Sequence, residues 1–247
     1  MKKYCMILAV MNLICIGIFV FQRYAEDWQT YSERTDTKAA GETAQGMEHG
    51  SSQEDIYWKD GDEKPRIAIT FDDGPNSVWT PFLLDGLKER GVKATFFVIG
   101  EKAQESQEII KRMYEEGHII GNHTFSHVQL TNIGNTMASE EINKTNQVIY
   151  EITGEYPQFI RPPFGSWSDN LECGVEMFPV MWNIDTLDWT TSNTDGVVQK
   201  AVRQAKDNSI ILLHDNYESS VKAALRIIDT LQEKGFEFVT VEELMFE

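Results

Sequence analysis

The sequence contains few cysteines. Only three occur among 247 residues, and two of them, Cys5 and Cys15, fall within one apolar run near the N-terminus. Cys173 is therefore alone in the remainder of the chain, which excludes an internal disulfide there. We interpret it as a small hydrophobic residue that packs in the interior.

Basic side chains are also scarce. The chain has 22 lysines and arginines against 39 aspartates and glutamates, which gives a formal net charge of -17. Nucleic acid is bound by clustered cations that displace its counterions. We therefore exclude nucleic acid as a partner. The hydrophobic content of 41% and charged content of 25% are those of a globular protein with a substantial core.

A long apolar run does occur, at the N-terminus. Tyr4 to Phe21 is apolar except for Asn12, and Lys2 and Lys3 precede it. As a helix the run would be about 27 Å long, close to the roughly 30 Å hydrocarbon core and longer than the apolar part of a cleavable signal. We predict that residues 1–24 are an uncleaved membrane anchor with the bulk of the chain outside the cytoplasm. Secretion after cleavage is the alternative.

The next segment has little that could form a core. Residues 25–64 contain 11 acidic and 4 basic side chains, with few apolar groups between them. Such a segment buries too little surface to offset the entropy lost on ordering. We predict a disordered acidic tether here and a folded domain over residues 65–247.

From Arg66 onward, short apolar runs alternate with amphipathic stretches that have one apolar face at helical spacing. Seven runs have the character of buried strands: Ile67 to Phe71, Ala94 to Ile99, His118 to Ile120, Gln158 to Ile160, Phe178 to Ile184, Ser209 to Leu213 and Phe236 to Val239. This alternation indicates an α/β fold with parallel strands.

Polar residues lie at or just beyond the ends of five predicted strands: Asp72, His123, Arg161, Asp188 and His214. Five strand ends can meet at one pocket only if the sheet curls around it, as it does at the carboxyl face of a barrel. We therefore predict a distorted (β/α) barrel of about seven parallel strands.

Two carboxylates and two imidazoles in this set suggest a metal site. Asp72 and Asp73 are adjacent, in a segment whose composition also suits an ordinary turn. His123 and His127 are four residues apart, which on a helical turn would place both imidazoles on one face at metal-ligand spacing. With one carboxylate they can hold a divalent cation and leave a position open for water, while the second carboxylate accepts a proton.

A further histidine, His214, ends a strongly apolar strand, where a polar side chain is costly unless it is used. A carboxylate beside it would fix its tautomer and favour the imidazolium, which makes it a candidate general acid. Asp188 and Asp185 are both candidates for that partner.

Taken in order, these segments resemble the motif series of the polysaccharide deacetylase family, the NodB homology domain of carbohydrate esterase family four. The resemblance covers about residues 66 to 246 and is carried by five segments: Thr70 to Pro75, His123 to His127, Arg161 to Gly165, Asp188 with Trp189, and Leu212 to Asp215. It implies a distorted barrel of about seven strands, a divalent metal that is usually zinc, and removal of acetyl groups from N-acetylglucosamine polymers such as peptidoglycan or chitin.

The resemblance also implies a role for each of ten residues. The metal ligands are Asp73, His123 and His127; Asp72 is the catalytic base, Arg161 orients it, His214 is the acid and Asp188 its partner; Phe164 offers a backbone N–H to the oxyanion, and Trp189 and Leu212 line the acetyl pocket. Many family members have tyrosine where this chain has Phe164. The change leaves a backbone donor intact and puts a sugar contact in question.

These observations lead to a main hypothesis and two alternatives. The main one is a monomeric, membrane-anchored N-deacetylase that acts on cell-wall glycan outside the cytoplasm with one divalent ion, most often Zn²⁺ in this family. The first alternative is an O-acetyl esterase on acetylated polysaccharide such as xylan. The second is a glycan-binding module without catalytic activity.

Overall fold

The computed structural model describes residues 63–168 and 176–246. The predicted anchor, almost all of the predicted tether and Cys173 lie outside these ranges. Within them, no helix combines the length and the apolar character that crossing a bilayer requires.

Strands and helices alternate along the described residues. The strands are β1 (Arg66–Asp72), β2 (Thr95–Val98), β3 (Ile119–Asn122), β4 (Phe159–Ile160), β5 (Phe178–Pro179), β6 (Ile184–Asp185), β7 (Ser209–His214) and β8 (Glu237–Val239). The α-helices are α1 (Trp79–Glu89), α2 (Gly100–Glu105), α3 (Gln107–Glu115), α4 (Asn135–Thr153), α5 (Thr194–Gln204), α6 (Glu218–Glu233) and α7 (Val241–Phe246).

The strands form one parallel sheet in the order β5-β4-β3-β2-β1-β7-β6, and β8 pairs with the start of β1. The sheet curls into a half-barrel. The prediction of an α/β fold with about seven parallel strands is therefore confirmed, with β8 as an additional partner of the central strand.

One predicted strand is wrong. The apolar run Phe178 to Ile184 was expected to be a single strand, but it contains β5 at one edge of the sheet and β6 at the other. The chain leaves the hydrogen-bond ladder between them, where the carbonyls of Val180 and Met181 accept hydrogen bonds from Arg161. Within this run, Pro179 and Asn183 are the residues that disfavour a continuous strand.

The central strand β1 shows how the core positions the site. Ile67, Ile69 and Phe71 point into the main hydrophobic cluster, which the apolar faces of α1 and α6 complete. The alternate residues point to the other side of the sheet because side chains alternate along a strand. Thr70 and Asp72 lie on that inner face, where both are buried and contact Arg161.

Candidate active site

The carboxyl ends of four strands bring the predicted polar residues together. Asp72 is the last residue of β1, and its partner in register on β7 is His214. β3 and β4 are in register at their last residues. His123 and Arg161, which follow those strands, therefore leave the sheet side by side.

The first group in the site consists of Asp73, His123 and His127. The Oδ1 atom of Asp73 lies 3.3 Å from Nε2 of His123 and 3.2 Å from Nε2 of His127. The three ligand atoms are all within 4.8 Å of one another. One carboxylate and two imidazoles are a donor set typical of zinc and related divalent ions.

The environment of Asp73 tests whether these residues fit a cation. Its Oδ1 atom is buried and accepts no well-formed hydrogen bond among the described residues. A buried carboxylate oxygen without a donor is costly, and a cation in contact with it would remove that cost. The residues present therefore fit a divalent metal ion.

The carboxyl of Asp73 is held in its charged form. Burial raises its pKa, but the imidazoles of His123 and His127 outweigh burial, so the pKa lies below the ordinary value. Lys102 Nζ also donates to the main-chain carbonyl of Asp73 at 2.7 Å. Asp73 is thus ionised at neutral pH, and its backbone is anchored.

The tautomer of His123 is set by the adjacent strand end. Its Nδ1 atom lies 2.6 Å from the carbonyl oxygen of Arg161, which can only accept. Nδ1 therefore carries a proton, and Nε2 is the ring nitrogen that faces Asp73 and is available for a cation. This is the orientation that a metal-ligating histidine requires.

The expectation that His123 and His127 share a helical turn is wrong. Residues 123–127 form a loop after β3, and Thr124 and His127 have left-handed backbones with φ of 62° and 57°. This conformation returns the second imidazole toward the first, so that the ring centroids are 5.1 Å apart. Spacing alone does not distinguish such a loop from a helix.

Left-handed non-glycine residues are concentrated around the site. Such a conformation costs about 1–3 kcal/mol and persists only where the surroundings impose it. Six occur in the described ranges, and five of them are site residues or immediate neighbours of site residues: Asp73, Thr124, His127, Phe164 and Leu187.

The second group pairs Asp72 with Arg161. The Arg161 Nη1 atom donates to Oδ1 of Asp72 at 2.8 Å and to Thr70 Oγ1 at 2.6 Å. Arg161 is fully buried, and its guanidinium lies 4.2 Å from the ring centroid of Phe97. The other carboxylate oxygen of Asp72, Oδ2, lies 3.9 Å from Nε2 of His123. One oxygen of Asp72 is thus fixed by arginine while the other faces the metal ligands.

The third group pairs His214 with Asp188. Oδ1 of Asp188 lies 2.9 Å from the ring Nδ1 of His214, and Oδ2 accepts the backbone N–H of His214 at 2.9 Å. Asp185 instead accepts the backbone N–H of Leu187 and is not the partner. Of the two carboxylates left open by the sequence, the structure therefore selects Asp188.

The pairing sets the charges of both groups. Burial raises the pKa of Asp188, but its hydrogen bond and ion pair with His214 prevail and lower it below the ordinary value. Burial lowers the pKa of His214, yet the contact with Asp188 and the nearby charges of Asp72 and Asp73 raise it above the ordinary value. His214 therefore tends to hold a proton that it can donate.

The three residues predicted to contact substrate lie around these groups. The ring of Phe164 is 68% exposed and its centroid lies 4.9 Å from that of His127. Trp189 follows Asp188 and is 57% exposed, whereas Leu212 is buried in β7 two residues before His214. Their roles toward a substrate stay predictions.

Sequence reasoning missed several supporting residues. Thr70 donates to the Ile211 carbonyl and receives a hydrogen bond from Arg161. Asp215 is fully buried behind Asp73, and burial raises its pKa to about 6. Both lie inside the motif segments, and their position close to predicted site residues could have indicated a supporting role. Glu141, on α4, binds the loop between the two histidines, and no motif points to it.

A family model described as polysaccharide deacetylase matches residues 59–178. Peptidoglycan-N-acetylmuramic acid deacetylase PdaC from Bacillus subtilis is 41% identical over 178 residues, which are 72% of this chain and 38% of that protein. A peptidoglycan-N-acetylglucosamine deacetylase from Bacillus cereus is 39% identical over 188 residues, 73% of this chain and 68% of that protein.

A solved structure adds a second substrate class among similar proteins. A family 4 acetyl xylan esterase from Clostridium thermocellum, in complex with a cobalt ion, is 38% identical and superposes with a TM-score of 0.68. The match covers 72% of this chain and 89% of that one. By contrast, the chain spans 38% of the length of PdaC, so it matches only part of that relative.

Proposed function

Because this chain belongs to the polysaccharide deacetylase family, as its motifs indicated, we propose that it is a metal-dependent hydrolase that removes N-acetyl groups from peptidoglycan. The observation that carries the proposal is the convergence of Asp73, His123 and His127 beside Asp72 and His214. The peptidoglycan deacetylases among its relatives support the choice of polymer.

The metal ligands are Asp73 and the two imidazoles, with zinc the ion we propose. A bound divalent cation would polarise the acetamide carbonyl and lower the pKa of the attacking water. The tautomer imposed on His123 by the Arg161 carbonyl presents Nε2 for ligation. The cobalt ion in the esterase from Clostridium thermocellum supports a divalent ion at this kind of site.

Proton transfer is divided between two residues. Asp72 takes the proton of the attacking water on Oδ2, since its Oδ1 is held by Arg161 and the carboxylate cannot rotate away. His214 donates a proton to the leaving nitrogen, while Asp188 holds the imidazole through Oδ1 and the His214 backbone N–H through Oδ2. The backbone N–H of Phe164 is the proposed donor to the oxyanion, and Trp189 with Leu212 would line the acetyl pocket.

The test is acetate release from purified peptidoglycan and from N-acetylglucosamine oligomers, with and without a chelator. We expect zinc-dependent release by the wild-type protein, and neither bound zinc nor release in Asp73→Ala or His127→Ala. Mass spectrometry of the product sugars would show whether N-acetylglucosamine or N-acetylmuramic acid is the target. Normal turnover in either variant would refute the proposal.

A second candidate function is hydrolysis of O-acetyl esters on xylan, favoured by the similar acetyl xylan esterase. The same metal site and proton donors would serve an ester. Parallel assays on acetylated xylan and on the acetamide substrates separate the two functions. Ester hydrolysis without amide hydrolysis would assign this chain to the second.

We also propose that the domain works as a monomer outside the cytoplasmic membrane, anchored through residues 1–24. The apolar run and the lysines before it support this location, and peptidoglycan would be within reach of the tether. Protease treatment of intact spheroplasts tests it, since an external domain would be digested while a cytoplasmic marker survives.

A further inference from the structure

The loop between the two histidine ligands is held from several sides. Residues 123–127 contain no regular hydrogen bonding of their own, yet Thr124 and His127 adopt left-handed backbones. Something outside the loop must impose that conformation, because non-glycine residues rarely adopt it alone. The neighbouring helices α2 and α4 provide the contacts.

Helix α4 provides a carboxylate that takes three hydrogen bonds from the loop. Oε2 of Glu141 accepts the backbone N–H groups of Phe125 at 3.0 Å and Ser126 at 2.8 Å. Its Oε1 accepts the Ser126 hydroxyl at 2.9 Å. Hydrogen bonds to an ionised acceptor are stronger than neutral ones. One side chain thus binds the middle of the segment that joins His123 to His127.

The opposite side of the loop is bound by α2. The backbone N–H groups of Gly100 and Glu101 donate to the carbonyls of Thr124 and Phe125 at 2.9 Å and 3.0 Å. Glycine permits this approach, because a Cβ at Gly100 would lie 2.6 Å from the Phe125 ring. The loop carbonyls are therefore satisfied by one helix and its amides by another.

The same helix α4 also holds the strand end before the loop. The Asn122 side chain donates to the Ile142 carbonyl at 2.9 Å and to Asn146 Oδ1 at 2.7 Å, and its Oδ1 accepts the Thr124 N–H. Glu141 is the one ionisable side chain in this set whose carboxylate contacts the loop amides directly. It is half-buried and separated from His127 by 14 positions in sequence.

From these contacts we propose that Glu141 is a positioning residue that pre-organises the two histidines for the metal ion. The inference rests on the metal site of the proposed function. Without the carboxylate, the loop loses the acceptor for both amides, and the imidazoles have more orientations to lose when the ion binds. Residues that support metal ligands in this way typically change metal affinity by about 10–100-fold.

The experiment measures zinc affinity by titrating the full chain with Zn²⁺ against a competing chelator. In Glu141→Ala the dissociation constant should rise by about 10–100-fold. In Glu141→Gln it should stay within about threefold of wild type, because the amide oxygen accepts both backbone N–H groups and its NH₂ donates to the Ser126 hydroxyl. The matched control is Glu140→Ala, which removes the same charge from an exposed position on the same helix.

A merely structural role would lower the thermal midpoint of the metal-free protein and leave zinc affinity unchanged once folded protein is selected. An unchanged affinity in Glu141→Ala, or an equal loss in Glu141→Gln, would overturn the proposal. Should Glu141→Ala fail to fold, Glu141→Asp carries the test by the same criterion, since it keeps the charge but withdraws the carboxylate.

The assay also separates this inference from the proposed function. Zinc binding by the wild type without acetate release would refute the deacetylase proposal and leave the role of Glu141 intact. Acetate release by the wild type, with equal zinc affinity in Glu141→Ala and wild type, would support the deacetylase proposal and refute the role of Glu141.

Discussion

The two sides of the site differ in how completely their polar groups are paired. The proposed acid side consists of His214 and Asp188. Both oxygens of Asp188 form hydrogen bonds with His214, and Oδ1 also accepts one from Thr186. The proposed metal side consists of Asp73, His123 and His127. Here Oδ1 of Asp73 is buried without a hydrogen-bond partner among the described residues, and so is Oδ1 of the neighbouring Asp215. The carboxylate of Asp188 is thus paired within the protein, whereas the carboxylate of Asp73 keeps a buried oxygen that a cation could pair with.

This difference in hydrogen bonding predicts how each group of residues responds to a metal ion. A pair whose hydrogen bonds are already made keeps its geometry whether or not a metal is bound. A group with unpaired carboxylate oxygens depends on a cation for its stability and its chemistry. Metal affinity and the geometry of the His214–Asp188 pair should therefore respond independently to substitution.

Among variants that keep the metal site, the largest expected effect comes from replacing His214, the proposed acid. His214→Ala should lower kcat by about 100- to 10,000-fold, because the leaving nitrogen loses its proton donor. Zinc affinity should remain that of the wild type, in contrast to Asp73→Ala, which loses both. Steady-state acetate release together with zinc titration measures the two properties, and weakened zinc binding in His214→Ala would show that the sides are coupled.

A smaller effect is expected on stability, from the buried carboxyl of Asp215. Burial raises its pKa from 3.8 to about 6, the charge of Asp73 adds to this, and Thr80 and Lys102 oppose it. The native state therefore keeps a proton that the unfolded chain releases, so this contribution to stability is full below pH 4 and is lost as the pH rises through about 6.

The measurement is urea unfolding of metal-free wild type and Asp215→Asn between pH 4 and 7. The free energy of unfolding of wild type should fall relative to the variant by roughly 2–3 kcal/mol, since one pKa unit corresponds to about 1.4 kcal/mol. Parallel curves for the two proteins would show that Asp215 does not titrate in this range.

The smallest effect is expected from the charge of Asp188. The pKa of His214 is raised, so the acid stays protonated above its ordinary range and activity is lost only as the pH rises through the raised value. Asp188→Asn removes the main stabilising charge, and the alkaline limb of the kcat profile should move to lower pH. A profile that keeps its alkaline limb would assign that limb to another group.

Much of the fold follows from local pattern. The long strands β1 and β7 are continuous apolar runs because both of their faces are covered, so their positions are predictable. The site residues were found because each stands at the end of such a run. Phe178 to Ile184 was mistaken for one strand because its interruption serves Arg161, a contact across 19 or 20 residues that no local pattern encodes.

What the sequence does not reveal is the support behind the ligands. His123 and His127 were recognised as a pair, but the loop conformation that joins them depends on Glu141 and on the N–H groups of α2. These contacts are set by how helices pack on the sheet, and a glutamate on an amphipathic helix has the composition of an ordinary solvated face.

The register of the central strand has a consequence for biosynthesis. β1 pairs with β7 along six residues, from Ile67 opposite Ser209 to Asp72 opposite His214. Asp72 is therefore translated more than 140 positions before His214, and it lacks this neighbour until β7 has been synthesised. The proposed site therefore cannot assemble on the emerging chain before residue 214 has been added, because its two halves are brought together only by this long-range strand pairing.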